Sequence, residues 1–285
     1  MVSNKKCKEK LLKNLTTIAL LIFSLEFLYS YNTQKMRFLN PRMNENIIKI
    51  FISAHKDFNN CRLNPVYNIV ADEKSQLNEN YNLNVIYANE GKLFNKKKSY
   101  GEMAKIYYIY LLYQNETLSS KYIGFCHYRR YFSFGDNIPD LDYIFSNYDA
   151  ILLKKINIHV TVRENYCQFH ICSNYDQLLE IINETKPEYY EAALKVSNNT
   201  RMYFCNIFVM KKEDFFEYCK FMFDVLFEFD KRNNFTSDKE VLNYTKKIFY
   251  TNINESYYQS RLDGFLAERI SNIFYFKNFK KIKSF

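Results

Sequence analysis

The run Ile47-Ile48-Lys49-Ile50-Phe51-Ile52-Ser53-Ala54 limits the fold more than any other stretch of the chain. It is β-branched and apolar almost without interruption, the pattern of a strand covered on both faces, as in a parallel sheet. It ends in small residues and passes straight into His55-Lys56-Asp57. Tyr67–Val70, Asn84–Tyr87, Tyr122–Cys126, Ala150–Leu153 and Cys205–Met210 read as further strands. Helical patterns lie between them. Residues 101–115 are apolar on most sides, which predicts a well-buried helix. Ser173 to Asp176 resembles a capping box for a helix over 175–184, and Pro187 opens another in its first turn. A long helix is expected over 212–230, a capped one from Ser237 to about 248, and a last one over 260–274. Strands alternating with helices predict an α/β fold, a sheet flanked by helices on both faces. Ligands of such sheets bind beyond the carboxyl ends of the strands, so the residues just after strands are where chemistry is sought.

The 285-residue chain has an unusual start. Lys5, Lys6, Lys8, Lys10 and Lys13 precede the mostly apolar run Leu15–Tyr31. That is the pattern of a signal peptide or an uncleaved signal anchor. No small-x-small cleavage site follows, and a helix lying on the membrane surface is the alternative. The expected division is a cytoplasmic basic tail (1–14), a membrane anchor (15–31), a stem (32–46), one α/β domain (47–276) and a second basic tail (277–285). If the segment spans, the positive-inside rule places the Lys-rich start in the cytoplasm, and the expectation is a single-pass membrane protein. The membrane would be the plasma membrane in a bacterium, or the Golgi or ER in a eukaryote.

Charge narrows the partners. The net charge is +9, but residues 1–42 carry eight Lys/Arg against two Glu, and 277–285 carry four Lys and no acid. The body between them is at −1. A nucleic-acid binder shows its basic face on the folded domain itself, so no nucleic-acid partner is expected. Basic tails beside an apolar segment fit a membrane surface. The seven cysteines include Cys167 and Cys172 around His170, but no second Cys/His pair with ligand spacing supports zinc. Buried free thiols are the expected state, and sequence cannot pair disulfides.

Five clusters carry candidate chemistry. Ala54, His55 and Lys56 follow the first strand, where a small residue admits a ligand and His and Lys offer donors to phosphate. Neither a GxGxxG nor a P-loop is present. The most distinctive cluster is Tyr122-Ile-Gly-Phe-Cys-His127-Tyr-Arg129-Arg130-Tyr-Phe132, in which a strand runs directly into a His, two Arg and three aromatics. Arginine forks bind phosphate or carboxylate, and aromatic rings stack a base or a sugar face. Asp149 opens a predicted strand, and His170 precedes a helix. Arg261, Gly264 and Glu268 share one helical face, and a mid-helix Gly points to close approach of a backbone or a ligand. For Asp149, His170 and the Arg261–Glu268 pair, a structural role stands beside the catalytic one.

The segments IFISAHKDF, YIGFCHYRRYF, YDAILLKK, YCQFH, NIFVMKKEDFFEYCKFMFDVLFE and RLDGFLAER, in this order over roughly 47–276, resemble the domain of unknown function 4422. That is a glycosyltransferase-like family found in bacterial capsular and exopolysaccharide gene clusters. The resemblance implies a GT-A-like (Rossmann-like) mixed sheet and a nucleotide-diphosphate sugar as donor, with galactofuranosyl or other hexosyl transfer suggested for some members. It implies Ala54, His55 and Lys56 at the nucleotide, and His127, Arg129 and Arg130 at the diphosphate or acceptor. Glu102, His170, Arg261 and Glu268 would line the cleft. The chain departs from the family in lacking Trp in the helix near 102–113, in ending its second strand with Ala71-Asp72, and in its N-terminal anchor. These departures bear on sugar and acceptor more than on fold.

The resulting expectation is a hexosyltransferase acting on a glycan or lipid-linked acceptor near a membrane, with Glu268, Asp149 and His170 as candidate bases. Many nucleotide-sugar transferases hold Mn²⁺ or Mg²⁺ on an Asp-x-Asp pair. Asp140-Leu141-Asp142 has that spacing but follows Pro139 and fits a helix N-terminus as well, so the metal stays open. An inactive membrane-anchored glycan-binding or structural protein is the alternative, and nucleic-acid binding through the HYRRYF loop and the basic tails, against which the near-neutral body argues, is the lesser one.

Overall fold

The computed structural model describes residues 47–58, 65–74, 77, 83–89, 91–132, 134 and 138–284. All of the main elements fall within the compact unit Leu39–Phe285. The expected basic start, anchor and stem (1–46) lie outside the described residues. Among the described residues no helix is long and apolar enough to cross a membrane.

The strands are β1 (Ile48–Ser53), β2 (Tyr67–Ala71), β3 (Asn84–Tyr87), β4 (Tyr122–His127), β5 (Ala150–Leu152), β6 (Ile156–Asn157), β7 (Arg201–Met202), β8 (Phe208–Lys211) and β9 (Ile282–Ser284). Seven form one sheet in the order β3-β2-β1-β4-β8-β5-β9, and β6 pairs with β7 in a short antiparallel ribbon. β1 to β4 run parallel, β8 is antiparallel to both β4 and β5, and β5 runs parallel to β9. This is the mixed α/β sheet expected. The strand order reverses at β1 and β4, the topological switch point at which α/β sheets open a crevice. Ser53 lies opposite His127 in that pairing, so the polar residues that follow each strand emerge side by side.

Alternation along the strands separates two cores. Phe51, Ile123, Phe125, Phe208 and Met210 face one side, and Ile50, Ile52, Tyr122, Cys126 and Val209 face the other. The helices are α1 (Lys97–Tyr100), α2 (Glu102–Gln114), α3 (Leu141–Asn147), α4 (Val162–Phe169), α5 (Cys172–Thr185), α6 (Pro187–Ser197), α7 (Lys212–Asn233), α8 (Asp238–Ile248), α9 (Ile253–Gln259) and α10 (Leu262–Asn278). The first core is covered by α2, α5, α6, α7 and α10, while α3 covers the second through Leu141, Ile144 and Phe145. Buried tyrosines reconcile aromatic volume with a polar tip by pairing with hydroxyls: Tyr113 with Ser120 at 2.6 Å, and Tyr175 with Ser197 and Tyr218 with Ser271 at 2.9 Å. Gly124 sits at the crowded centre of the sheet, where a Cβ would lie 3.1 Å from both Ile50 Cγ1 and Val209 Cγ2.

Several local expectations change. Within the basic 277–284 stretch, Lys277 and Asn278 end the last helix and Ile282–Ser284 adds the edge strand β9. The strand expected from Cys205 begins at Phe208, which leaves 205–207 as a loop. α5 begins at Cys172, before the expected 175, and Cys172 forms a disulfide with Cys167 rather than remaining a free thiol. Cys126 and Cys219 are buried free thiols, as expected.

Candidate functional site

A cavity of about 620 Å³ opens at the carboxyl ends of β1 and β4. Ser53 ends β1 and His55 and Lys56 follow it, while His127 ends β4 and is followed by Tyr128, Arg129 and Arg130. The α1–α2 junction supplies Ser99 to Glu102 and Lys105, and α10 supplies Gly264, Phe265 and Glu268, with Arg261 at its N-cap. Eight residues singled out in the sequence therefore line one cavity: His55, Lys56, Glu102, His127, Arg129, Arg130, Arg261 and Glu268.

The turn after β4 is fixed by two backbone hydrogen bonds, His127 N–H to the Arg130 carbonyl at 3.0 Å and Arg130 N–H to the His127 carbonyl at 2.8 Å. Tyr128 is the centre of the rim. Its ring lies edge-on to His55 at 4.8 Å, and its hydroxyl is 3.3 Å from His55 Nε2. Lys56 Nζ and the Arg129 guanidinium lie 5.8 and 5.3 Å from the same ring centroid. Arg130 Nη1 reaches Cys205 Sγ at 3.2 Å. His55, Lys56, Arg129, Arg130 and Arg261 are exposed, so they form a cationic rim.

The floor is acidic and engaged. Glu102 Oε1 accepts from the Asn206 backbone N–H at 3.1 Å and from Asn206 Nδ2 at 2.7 Å. Glu268 accepts from Cys205 N–H at 3.3 Å and pairs with Arg269 at 3.0 Å. Asp72 pairs with Lys105 at 2.8 Å. Burial raises the Glu268 carboxyl, Glu102 adds to the rise, and Arg269 opposes it. On the rim, burial and then Arg129 lower His127 to about 4, with His55, Arg130 and Arg261 contributing. His55 is lowered by burial, then by Lys105, Lys56, Arg129 and Arg261. Both imidazoles are thus held neutral by a field that favours an incoming anion.

The α1–α2 junction is braced from beneath. Gly101 takes φ 57°, ψ −126°, a backbone state that favours glycine. Lys96, buried, contacts Asp230 and lies 3.4 Å from Asp263 Oδ2. Tyr100 donates to Asp230 at 2.6 Å, and Ser99 donates to Asp263. Gly264 packs on this junction, with the position of a Cβ 3.5 Å from the carbonyl oxygens of Ser99 and Tyr100. The close backbone approach expected at that glycine is present.

Three expected site residues stand outside the cavity lining. Ala54 is fully buried and donates its N–H to the Val70 carbonyl at 2.9 Å, so it is a wall behind the rim. Asp149 precedes β5 and lies at the opposite edge of the sheet. Its Oδ2 accepts from Lys280 N–H at 2.7 Å and Lys281 N–H at 2.8 Å, which latches β9 away from the cavity lining. His170 lies behind the lining, its ring stacked on Phe265 at 4.0 Å and its Nδ1 3.2 Å from Gln259 Oε1. Burial and Arg269 lower it to about 4, and its stacking on Phe265 braces the wall from behind.

Sequence reading missed Asp72, Lys105, Tyr128 as the rim's centre, Cys205 and Asn206. Lys105 had a signal, a lone cation within an apolar helix. Cys205 has φ 63°, uncommon for a residue with a side chain, and this kink turns the loop before β8 into the cavity.

Among the described residues no three His, Cys, Asp or Glu side chains converge to hold a metal ion. Asp140 caps α3 through the Tyr143 N–H at 3.0 Å, and Asp142 pairs with Lys121 at 2.7 Å beside the amino end of β4, far from the rim. Glu102, Glu268 and Asp72 already have the partners given above.

The fold is shared with a solved structure titled "WbbM bifunctional glycosytransferase apo structure", at TM-score 0.62 and 22% sequence identity. The match covers 84% of this chain and 44% of that one, so the chain spans less than half the length of that protein. No curated protein matches. The family model described as "Domain of unknown function (DUF4422)" matches residues 49–279, and the chain belongs to that family.

Proposed function

We propose that the chain is a glycosyltransferase that moves a hexosyl group from a nucleotide-diphosphate sugar to a hydroxyl of a glycan or lipid-linked acceptor. The observation that carries the reading is the cationic rim gathered above an acidic floor at the switch point of the sheet. Lys56, Arg129, Arg130 and Arg261 suit the diphosphate, whose negative charge grows as the glycosidic bond to it breaks. Tyr128, buried beneath the rim, holds His55, Lys56 and Arg129 around one ring. In a direct displacement the acceptor oxygen bonds to the anomeric carbon as the diphosphate oxygen leaves, and the acceptor proton passes to a carboxylate. Glu268 is the group assigned to that proton, because a raised carboxyl is a better base near neutral pH. No step is routed through a metal. Residues 15–31 are proposed to hold the domain at a membrane, where lipid-linked acceptors lie.

The test is calorimetric binding of UDP and a panel of other nucleoside diphosphates to the purified full chain, with hydrolysis and transfer measured over a panel of nucleotide sugars. Arg129→Ala is expected to weaken the preferred nucleotide about 10- to 100-fold, the worth of one charge-assisted contact. Glu268→Gln is expected to keep binding and lose transfer. If no nucleoside diphosphate in the panel binds, the proposal fails.

A further inference from the structure

A second cavity lies further along α10, towards β9. The Tyr203–Cys205 segment forms a partition, with Cys205 in the first cavity and Tyr203 in a second one of about 200 Å³. α10 runs along both: Glu268 lines the first, and Asn272 and Phe276 line the second. At 1.5 Å per residue, Phe276 lies about 12 Å along the helix from Glu268. Asn272 pins the partition to α10. Asn272 Oδ1 accepts from Tyr203 N–H at 2.8 Å, while its Nδ2 donates to the Tyr203 carbonyl at 2.8 Å and the Glu268 carbonyl at 2.7 Å.

Two cations meet in the second cavity. Lys155 follows β5, and Arg201 lies in β7. Among the described residues neither has an acidic partner within ion-pair distance. Burial and the nearby Arg201 both disfavour the charged form of Lys155. Like charges held together with no counter-charge lose energy that a bound anion would restore. Aromatic surface lies beside them: Lys155 Nζ is 5.3 Å from the Tyr203 ring centroid, and Phe276 is 45% exposed. A bare inorganic anion would have no use for those rings. A sugar that carries a negative group satisfies both features, with its C–H face on a ring and its anion between Lys155 and Arg201.

We propose that this second cavity is an acceptor subsite for a negatively charged sugar residue, bearing either a carboxylate or a phosphate, so that the acceptor is an acidic glycan. The assignment as an acceptor subsite rests on the transferase reading of the first cavity. The binding of the acidic sugar does not.

The test uses the full chain at low salt and four probes: a glucuronate-containing oligosaccharide, its carboxyl-reduced neutral form, a phosphate-substituted oligosaccharide, and inorganic phosphate. At least one acidic oligosaccharide is expected to bind about 10-fold or more tightly than the neutral form, the worth of two partly exposed charge contacts. Which of the two does so identifies the carboxylate or the phosphate as the natural group. The K155A/R201A double variant is expected to lose that preference and keep its nucleotide affinity and melting temperature. Lys155→Glu, on a half-buried edge, should reverse the preference without unfolding the chain. Equal binding of acidic and neutral forms, an unchanged preference in the double variant, or inorganic phosphate binding as tightly as the acidic oligosaccharide each overturns the proposal. Acidic-sugar binding that needs Lys155 and Arg201 in a chain that binds no nucleotide would sink the transferase reading and leave this cavity as an anionic-glycan site.

Discussion

Replacing Lys96 by Met removes the cation of the network beneath the α1–α2 junction. Burial and Asp263 push Asp230 up to about 7 against the pull of Lys96, and burial raises Asp263 as well. Two carboxyls facing one ammonium settle as one carboxylate, one carboxylic acid and one cation, which is neutral overall. With Met at position 96 the carboxylate has no cation and must take up a proton to remain buried. An unfolded Asp has a pKa of about 3.9, so protonating one more at pH 7 costs about 4 kcal/mol, at 1.36 kcal/mol per pH unit. That agrees with the ~3–5 kcal/mol usually lost on breaking a buried pair. At pH 5 the same cost is about 1.5 kcal/mol. The sign follows: a carboxyl whose folded pKa is raised binds its proton more tightly in the folded chain, so the variant gains stability as pH falls from 7 towards the unfolded value.

Urea denaturation followed by circular dichroism at pH 7 and pH 5 measures both numbers. A variant that fails to fold at pH 7 is still readable at pH 5. Adding Asp230→Asn to Lys96→Met is expected to recover much of the loss at pH 7 and little at pH 5, because the amide needs no proton. A K96M penalty that is the same at both pH values, or below ~1 kcal/mol at pH 7, refutes the charge argument, since a packing defect does not titrate.

Gly124→Ala should cost about 1–3 kcal/mol in chemical denaturation, because its Cβ meets Ile50 and Val209 at 3.1 Å and strand backbone at 3.3 Å, and overpacking of a sheet centre is not absorbed. A neutral effect would show the strands can part. Binding of a UDP-sugar, whose diphosphate does not titrate near neutrality, should strengthen as pH falls from 8 to 5.5, because its charge raises the depressed His127 and His55 and draws protons onto them. Calorimetry in buffers of different ionisation enthalpy should read proton uptake, reduced in His127→Asn; proton release would contradict the site. Reducing the Cys167–Cys172 disulfide should cost at most ~2 kcal/mol, because the loop it closes is short, and should leave nucleotide affinity unchanged since neither cysteine lines the cavity.

The sheet's main strands were legible because their apolar runs are β-branched and bounded by polar segments, and both HYRRYF and the Arg261/Glu268 face announced themselves by charge in apolar surroundings. The short elements were not. β6, β7 and β9 are two or three residues long, too short for periodicity to register, and exist because a partner strand completes their hydrogen bonds. The Cys167–Cys172 bond depends on how α4 meets α5, and no spacing reports that.

Strand direction explains which site residues were found and which were not. Looking just after strands located His55, Lys56 and the His127–Arg130 turn, since β1 and β4 run towards the cavity. The same rule, applied with direction, sets Asp149 apart from the cavity: it stands before β5, which runs parallel to β1, so it emerges at the far edge. β8 runs the other way, and for such a strand the residues that precede it face the site. Cys205 and Asn206 are those residues, and they fasten Glu268 and Glu102 in place. The apolar run Ile207–Met210 reads the same in either direction, so a chain that places one antiparallel strand in a parallel sheet hides part of its site from any argument built on strand ends alone.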